Sequence, residues 1–251
     1  MKAIILAAGI GKRMYPFTKT NHKATLDIAG KSLIERDVDA LIKAGFNEIV
    51  IVVGYLKEQL INLLGSEYHG AKIIYVENHE FTEKGNLNSL YLAKDYFKGG
   101  FIMMDADLIF DYRIITELMD SGVPNALLVG RLEKDSGEEV KVYVYAGKAS
   151  KIGKKVTPSP SDKLEGEAIG IVKYSDAIIP HLIFQMENMM SINKMAEHED
   201  LSQLICNNGQ MGIVKTDRTW MEIDFPEEVK IAREIIFPKI YNEEILVLGP
   251  N

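Results

Sequence analysis

Apolar residues come in short, almost unbroken runs through the first half of the chain, at 2–7, 49–53, 73–76 and 101–104. Runs this short and without alternation mark strands buried on both faces, as in parallel sheets. Between them the apolar period becomes helical. Ile34, Val38, Leu41 and Ile42 fall at i, i+4, i+7 and i+8, and Gly45 stands where a helix would end in a cap. A second helix is predicted from Leu56 to Leu64, closed by Gly65. A third runs from Asn86 to Phe97, with Leu87, Leu90, Tyr91 and Ala93 toward the sheet. This alternation predicts an α/β fold: a doubly wound, mostly parallel, Rossmann-like sheet, with ligands at the carboxyl ends of its strands.

The second half follows another rule. Residues 126–132 and 140–156 alternate enough to predict an antiparallel extension of the sheet. Thr157-Pro-Ser-Pro-Ser161 reads as a loop, Ala168–Val172 as a buried strand, and 176–190 and 199–206 as helices. Pro226 suits the first turn of a helix reaching about Ile236. The apolar run Ile245–Leu248 is expected to add a strand or meet a partner chain. No repeat and no linker divides the chain, so 1–251 is expected to be one domain. Its parts are a first region to about 125, a second over 126–237 and a tail over 238–251.

The first strand empties into Ala8-Gly9-Ile10-Gly11-Lys12-Arg13, and Lys23 follows ten residues past Arg13. Glycines let backbone N–H groups approach an anion closely, and the cations neutralise it, so this segment suits phosphates. Two other phosphate loops are excluded. Arg13 stands where a Gly-x-x-x-x-Gly-Lys-Ser/Thr loop needs its hydroxyl after Gly11-Lys12, and Met14 stands where the dinucleotide fingerprint needs its third glycine. Asp105-Ala-Asp107 closes the run Phe101–Met104, placing two carboxylates at the functional edge of the sheet. Glu222 and Asp224 alternate, so on a strand both face one way.

Leu6-Ala-Ala-Gly-Ile-Gly-Lys-Arg13, Pro16-Phe-Thr18, Lys23 and Gly30-Lys-Ser-Leu-Ile34 together resemble the signature of sugar-phosphate-type nucleotidyltransferases. Within that group the chain looks most like the small cytidylyltransferases that activate phosphocholine, inositol phosphate or aminoethylphosphonate. His22-Lys23 stands where that family usually has Pro-Lys. The resemblance implies a Mg²⁺-dependent transfer from a nucleoside triphosphate, CTP preferred, to a small phosphorylated or phosphonate acceptor. It assigns the metal to Asp107 and Asp224, and the phosphates to Arg13 and Lys23. Nucleotide contacts fall on Leu6, Ala8, Gly9, Gly11, Gly54, Asn88, Ser89 and Asp105, and acceptor contacts on Glu167, Glu199, Trp220 and Glu222. A phosphate acceptor is already ionised near neutral pH, its second pKa lying at about 6, so no general base is expected. Sugar-1-phosphate uridylyl-, thymidylyl- or guanylyl transfer and a non-catalytic nucleotide-sensing subunit remain as alternatives.

Composition narrows this further. A net charge of −7 argues against a nucleic-acid surface, whereas residues 12–31 hold five cations against Asp27 alone. Cys206 is the single cysteine, which excludes an internal disulfide and a thiolate cluster and suits a cytoplasmic setting. No apolar run approaches the roughly 20 residues of a membrane span, and the N-terminus does not read as a signal peptide. Met186, Met189, Met190 and Met195 would suit a core or the surface of a homodimer.

Overall fold

The computed structural model describes residues 1–248, with side chains described to Glu244. In chain order the first half forms β1 (Lys2–Ala7), β2 (Asp27–Ile28), β3 (Lys31–Ser32), α1 (Leu33–Lys43), β4 (Glu48–Val53), α2 (Lys57–Leu64), β5 (Glu67–Tyr68), β6 (Ala71–Glu77), α3 (Asn86–Leu92), β7 (Phe101–Asp105), β8 (Leu108–Phe110) and α4 (Arg113–Asp120). The second half forms β9 (Ala126–Gly130), β10 (Lys141–Tyr145), β11 (Lys148–Gly153), β12 (Lys163–Tyr174), α5 (Ile179–Ile192), α6 (His198–Asn207), β13 (Gly212–Lys215), β14 (Trp220–Glu222), α7 (Pro226–Ile231) and α8 (Phe237–Leu248).

The main sheet runs β11-β10-β12-β7-β1-β4-β6-β5, with β9 beside β12 and β13 beside β9. Its centre is parallel: β1 pairs with β4 and β7, and β4 with β6. Alternate residues of β1 feed two cores. Ala3, Ile5 and Ala7 pack with α1, α2 and α4, and Ile4 and Leu6 pack with α3, α5 and α6. The predicted doubly wound sheet is therefore present, and the continuous apolar runs follow from burial on both faces. The expected antiparallel extension is β10, β11 and β12, joined to the centre where Ile171–Tyr174 pairs with Phe101–Met104.

Several bounds differ from the sequence reading. The third helix stops at Leu92 and tightens into a 3₁₀ turn over Lys94–Tyr96. Gly99 and Gly100, both at positive φ, then reverse the chain into β7. The last helix does not end near Ile236: a π turn over Ala232–Ile236 carries it on to Leu248. Pro238, which has no backbone donor, stands two residues past that turn. The backbone of Ile245–Leu248 is thus helical rather than a strand, while the side chains of that run lie outside the described residues. Met186 is in the core, but Met195 is exposed. Among the described residues no helix is long and apolar enough to cross a membrane.

Candidate active site

The turn after β1 opens a cleft of about 200 Å³ at the carboxyl edge of the parallel strands. Leu6, Gly9, Gly11, Arg13, Lys23, Asp105, Asp107 and Asp224 all line it. A side chain on Gly9 would meet nothing within 4 Å, so its backbone faces open space. Gly11 adopts φ +64, and its carbonyl accepts a hydrogen bond from Thr18 Oγ1 at 2.7 Å. Ala8 and Gly54 face each other at the adjoining strand exits: a Cβ on Gly54 would come 2.8 Å from the Ala8 carbonyl oxygen.

The two aspartates meet because of a small ribbon. β8 and β14 pair antiparallel over three residues, with Glu222 opposite Leu108. The Ile223 N–H then donates to the Asp107 carbonyl at 3.0 Å, bringing residue 224 alongside residue 107. Carboxylate oxygens of Asp107, Glu222 and Asp224 consequently lie within 4.8 Å of one another. Glu222, expected on the acceptor side, is therefore also a member of the acidic cluster. Lys23 Nζ donates to Asp107 Oδ2 at 2.6 Å and to Asp224 Oδ1 at 2.8 Å. Arg13 reaches the other oxygen, Asp224 Oδ2, at 2.6 Å, and its guanidinium lies 5.3 Å from the Phe225 ring centre.

The charges tune one another. Burial would lower the Lys23 pKa, but Asp107 and Asp224 outweigh it and hold the ammonium above its ordinary range. Burial would likewise raise Asp224, yet Lys23 and Arg13 bring it below the usual carboxylate value. Glu222 has no such partner, so desolvation and the charges of Asp107 and Asp224 push it well up. Asp107 Oδ1 is buried and finds no hydrogen-bond partner among the described residues. Three converging carboxylates, one with an unsatisfied oxygen, fit a hard divalent cation such as Mg²⁺.

His22 replaces the proline of the related loops by doing a cap's work. Its Nδ1 accepts from the Ala24 N–H at 3.0 Å, which leaves Nε2 to donate to the Ala7 carbonyl at 3.0 Å. Burial lowers its pKa to about 4, so the ring is neutral and holds the short turn Lys23–Thr25 against β1.

A second pocket adjoins the first and shares Asp105. Glu138, Lys154, His198, Glu199 and Glu222 line it over an apolar floor that includes Leu127, Ile152 and Val172. His198 is 3% exposed; its Nε2 lies 3.0 Å from Asp105 Oδ2 and its Nδ1 3.6 Å from Glu199 Oε2. Burial disfavours the imidazolium, but Asp105 and Glu199 raise its pKa to about 10. Asp105 rests on the bulge of β12 at Gly170, where φ is +79 and a Cβ would come 2.7 Å from Asp105 Oδ2. Glu138 links the pockets, 3.5 Å from Arg13 and 3.6 Å from Lys154.

Six expected residues line neither pocket: Ala8 and Gly54, at the strand exits, and the four that follow. Asn88 and Ser89 are buried and bonded to Asn78, at 3.3 and 2.9 Å. Trp220 packs its indole over Gly130, whose Cβ would come 2.2 Å from Nε1. Glu167 is outside the second pocket's lining, and burial with the Glu139 charge raises its pKa to about 7. The sequence reading missed Lys154, Glu138 and His198. Gly170, which interrupts an apolar strand run, was the one available sign of a bulge there.

The profile described as "Nucleotidyl transferase" matches residues 2–127. A 2-aminoethylphosphonate cytidylyltransferase of Lancefieldella rimae is 44% identical over 108 residues, which cover 43% of this chain and 43% of that protein. The chain thus spans less than half the length of that relative. A CTP:phosphoglutamine cytidylyltransferase of Campylobacter jejuni is 26% identical over 257 residues, covering 93% of this chain and 100% of that protein. In fold, the chain is similar to the inositol-1-phosphate CTP transferase from T. maritima, with TM-score 0.76, 24% identity and 95% of each chain covered.

Proposed function

The chain belongs to the nucleotidyl transferase family, and from that premise we propose that it is a Mg²⁺-dependent, CTP-using transferase acting on a small phosphoester or phosphonate acceptor. The observation that carries this reading is the meeting of Asp107, Glu222 and Asp224 with Lys23 and Arg13 beside the glycine turn. Names of the relatives support CTP as donor.

An oxygen of the acceptor's phosphate or phosphonate attacks the α-phosphorus of the triphosphate in line. The bond from that phosphorus to the bridging β-phosphate oxygen breaks, and pyrophosphate leaves. Arg13 binds the β- and γ-phosphates through its planar fork, and Lys23 neutralises the α-phosphate. Backbone groups at Gly9 and Gly11 complete the cradle. Asp107, Asp224 and Glu222 would hold Mg²⁺, which when bound supplies charge neutralisation at the reacting phosphate.

The second pocket supports an acceptor that carries a cationic end. Its lining sets four carboxylates, Asp105, Glu138, Glu199 and Glu222, against Lys154 and His198. A dianion bearing no positive charge would be repelled there. A zwitterion can lay its ammonium toward Glu199 and its phosphonate or phosphate toward Lys154. Among the described residues the lining holds no Phe, Tyr or Trp, and its one ring, the imidazole of His198, is tied to Asp105, so it favours a primary ammonium over a trimethylammonium cage.

The test is pyrophosphate release from CTP, UTP, GTP and dTTP, each with 2-aminoethylphosphonate, phosphocholine, inositol phosphate and glucose-1-phosphate. CTP with 2-aminoethylphosphonate is expected to be fastest. Equal use of all four donors removes the cytidylyl assignment; glucose-1-phosphate as best acceptor replaces it with sugar-nucleotide synthesis. No turnover in any combination removes the transferase.

A further inference from the structure

Lys23 sits on a stretch with little regular structure of its own. Between Gly11 and Leu26 the chain forms only three 3₁₀ turns of three residues each, at Lys12–Met14, Phe17–Lys19 and Lys23–Thr25. Turns this short contain too few hydrogen bonds to fix themselves. Yet Lys23 Nζ must be held within hydrogen-bond reach of two carboxylates. The ties that hold this stretch come largely from a neighbouring element, the exit of β4 and the first turn of α2.

Gln59 makes the central tie. Its Oε1 accepts from the His22 N–H at 2.7 Å, and its Nε2 donates to the Thr20 carbonyl at 2.8 Å. One amide therefore closes on both the donor and the acceptor of the segment next to Lys23, as a neighbouring strand would. Four residues earlier, just before α2, Tyr55 donates its hydroxyl to the Thr18 carbonyl at 2.8 Å. Their platform is rigid. Leu60 and Leu64 of α2 are buried, and Gly54 abuts Ala8 too closely to admit a side chain. The Tyr55 N–H also donates to the Ala8 carbonyl at 3.1 Å. Val53-Gly54-Tyr55 thus brings Tyr55 against the loop that carries the phosphate cations.

We infer that Gln59 is a positioning residue, which sets Lys23 against the α-phosphate by holding the Thr20–His22 backbone; the inference rests on the transferase reading for what Lys23 does. The chemistry required is that of an amide. A carboxylate at this position keeps the bond from the His22 N–H but turns an oxygen toward the Thr20 carbonyl. A leucine keeps neither bond. Loss of placement at a phosphate-binding cation is costly, because a shift of about 1 Å can reduce a rate by about 10²-fold.

The experiment compares wild type with Gln59→Leu and Gln59→Glu in the full chain, in the presence of Mg²⁺ and CTP. Hydrogen exchange is followed over residues 18–25, and steady-state rates are measured with the best acceptor. Gln59→Leu is expected to speed exchange in that segment and lower kcat by about tenfold or more, leaving the acceptor KM within about twofold. Gln59→Glu falls between. In a Lys23→Ala background, Gln59→Leu should cost nothing further, because the lever it holds is gone. Unchanged exchange overturns the inference. So does a rate loss that persists undiminished in the Lys23→Ala background, or a loss that appears equally in the acceptor KM. If wild type turns over no triphosphate, the transferase reading falls by itself, and faster exchange over 18–25 in Gln59→Leu still upholds the clamp. Should Gln59→Leu fail to fold, Gln59→Glu and Tyr55→Phe carry the same comparisons.

Discussion

Replacing Lys23 by methionine tests the charge balance of the cleft without relying on any assay of transfer. The ammonium makes two charge-assisted hydrogen bonds, at 2.6 and 2.8 Å, and its side chain is 11% exposed. Each such bond contributes about 1.5–3 kcal/mol, and breaking a buried pair costs about 3–5 kcal/mol. Arg13 still holds Asp224, and both aspartates keep some contact with water, so the net loss should be nearer ~2–4 kcal/mol. The same change leaves Asp107, Glu222 and Asp224 with less positive charge among them, and their affinity for Mg²⁺ should rise. For a dissociation constant of about 1 mM, about 10 mM Mg²⁺ would return ~1.4 kcal/mol. Urea unfolding with EDTA and with Mg²⁺ reads both effects. Lys23→Met should be the less stable protein in EDTA and should gain more from Mg²⁺ than wild type gains. Equal stability in EDTA, together with no extra gain from Mg²⁺, would show that Lys23 does not hold these carboxylates.

Three further outcomes are expected. Asp107→Asn should abolish turnover with Mg²⁺ and lower the unfolding free energy by about 1–3 kcal/mol, since the amide keeps the shape but Lys23 loses one of its two charged partners; near-normal rates would remove Asp107 from the metal site. Asp37, on α1, is fully buried with neither carboxyl oxygen partnered among the described residues, and burial with the charges of Asp107 and Asp105 holds its pKa well above the usual range. It therefore folds protonated, and stability should fall as pH rises above about 3.9, where the unfolded chain releases this proton first, until the folded-state pKa is passed. Urea midpoints of wild type and Asp37→Leu should diverge over that climb, the variant becoming more stable by about 1–3 kcal/mol, and parallel pH profiles would refute this. Gly170→Ala should displace the Asp105 carboxylate it would contact and strain a backbone at φ +79, lowering the rate by about tenfold or more, measured with saturating CTP; an unaffected rate would show that Asp105 tolerates movement.

The parallel half of the fold was legible because burial on both faces writes continuous apolar runs into β1, β4 and β7, and β6 keeps a run although it is only partly buried. The phosphate-side residues were legible too, since glycines and cations close together in sequence remain close in space. What pairs Asp107 with Asp224 was not. β8 and β14 have three residues each, too few for any period to emerge, and their pairing bridges distant parts of the chain. Only Ala168–Val172 of β12 reads as a strand in the sequence, because its charged start Lys163–Glu167 breaks the apolar run. The run Ile245–Leu248 illustrates a different limit: a short apolar stretch fits a strand or a helix equally, and here the preceding turns of helix decide it. His198 carries no local signature at all. Its meaning comes from Asp105, 93 positions away.

The three-residue ribbon between β8 and β14 has a kinetic consequence. Lys23 and Asp224 are 201 positions apart, so closing this contact is among the longest loop closures the fold demands. A nascent or C-terminally truncated chain can assemble the central parallel strands and still lack the far wall of its reaction chamber. Competence for transfer should therefore emerge last during refolding, after the bulk of the secondary structure has formed.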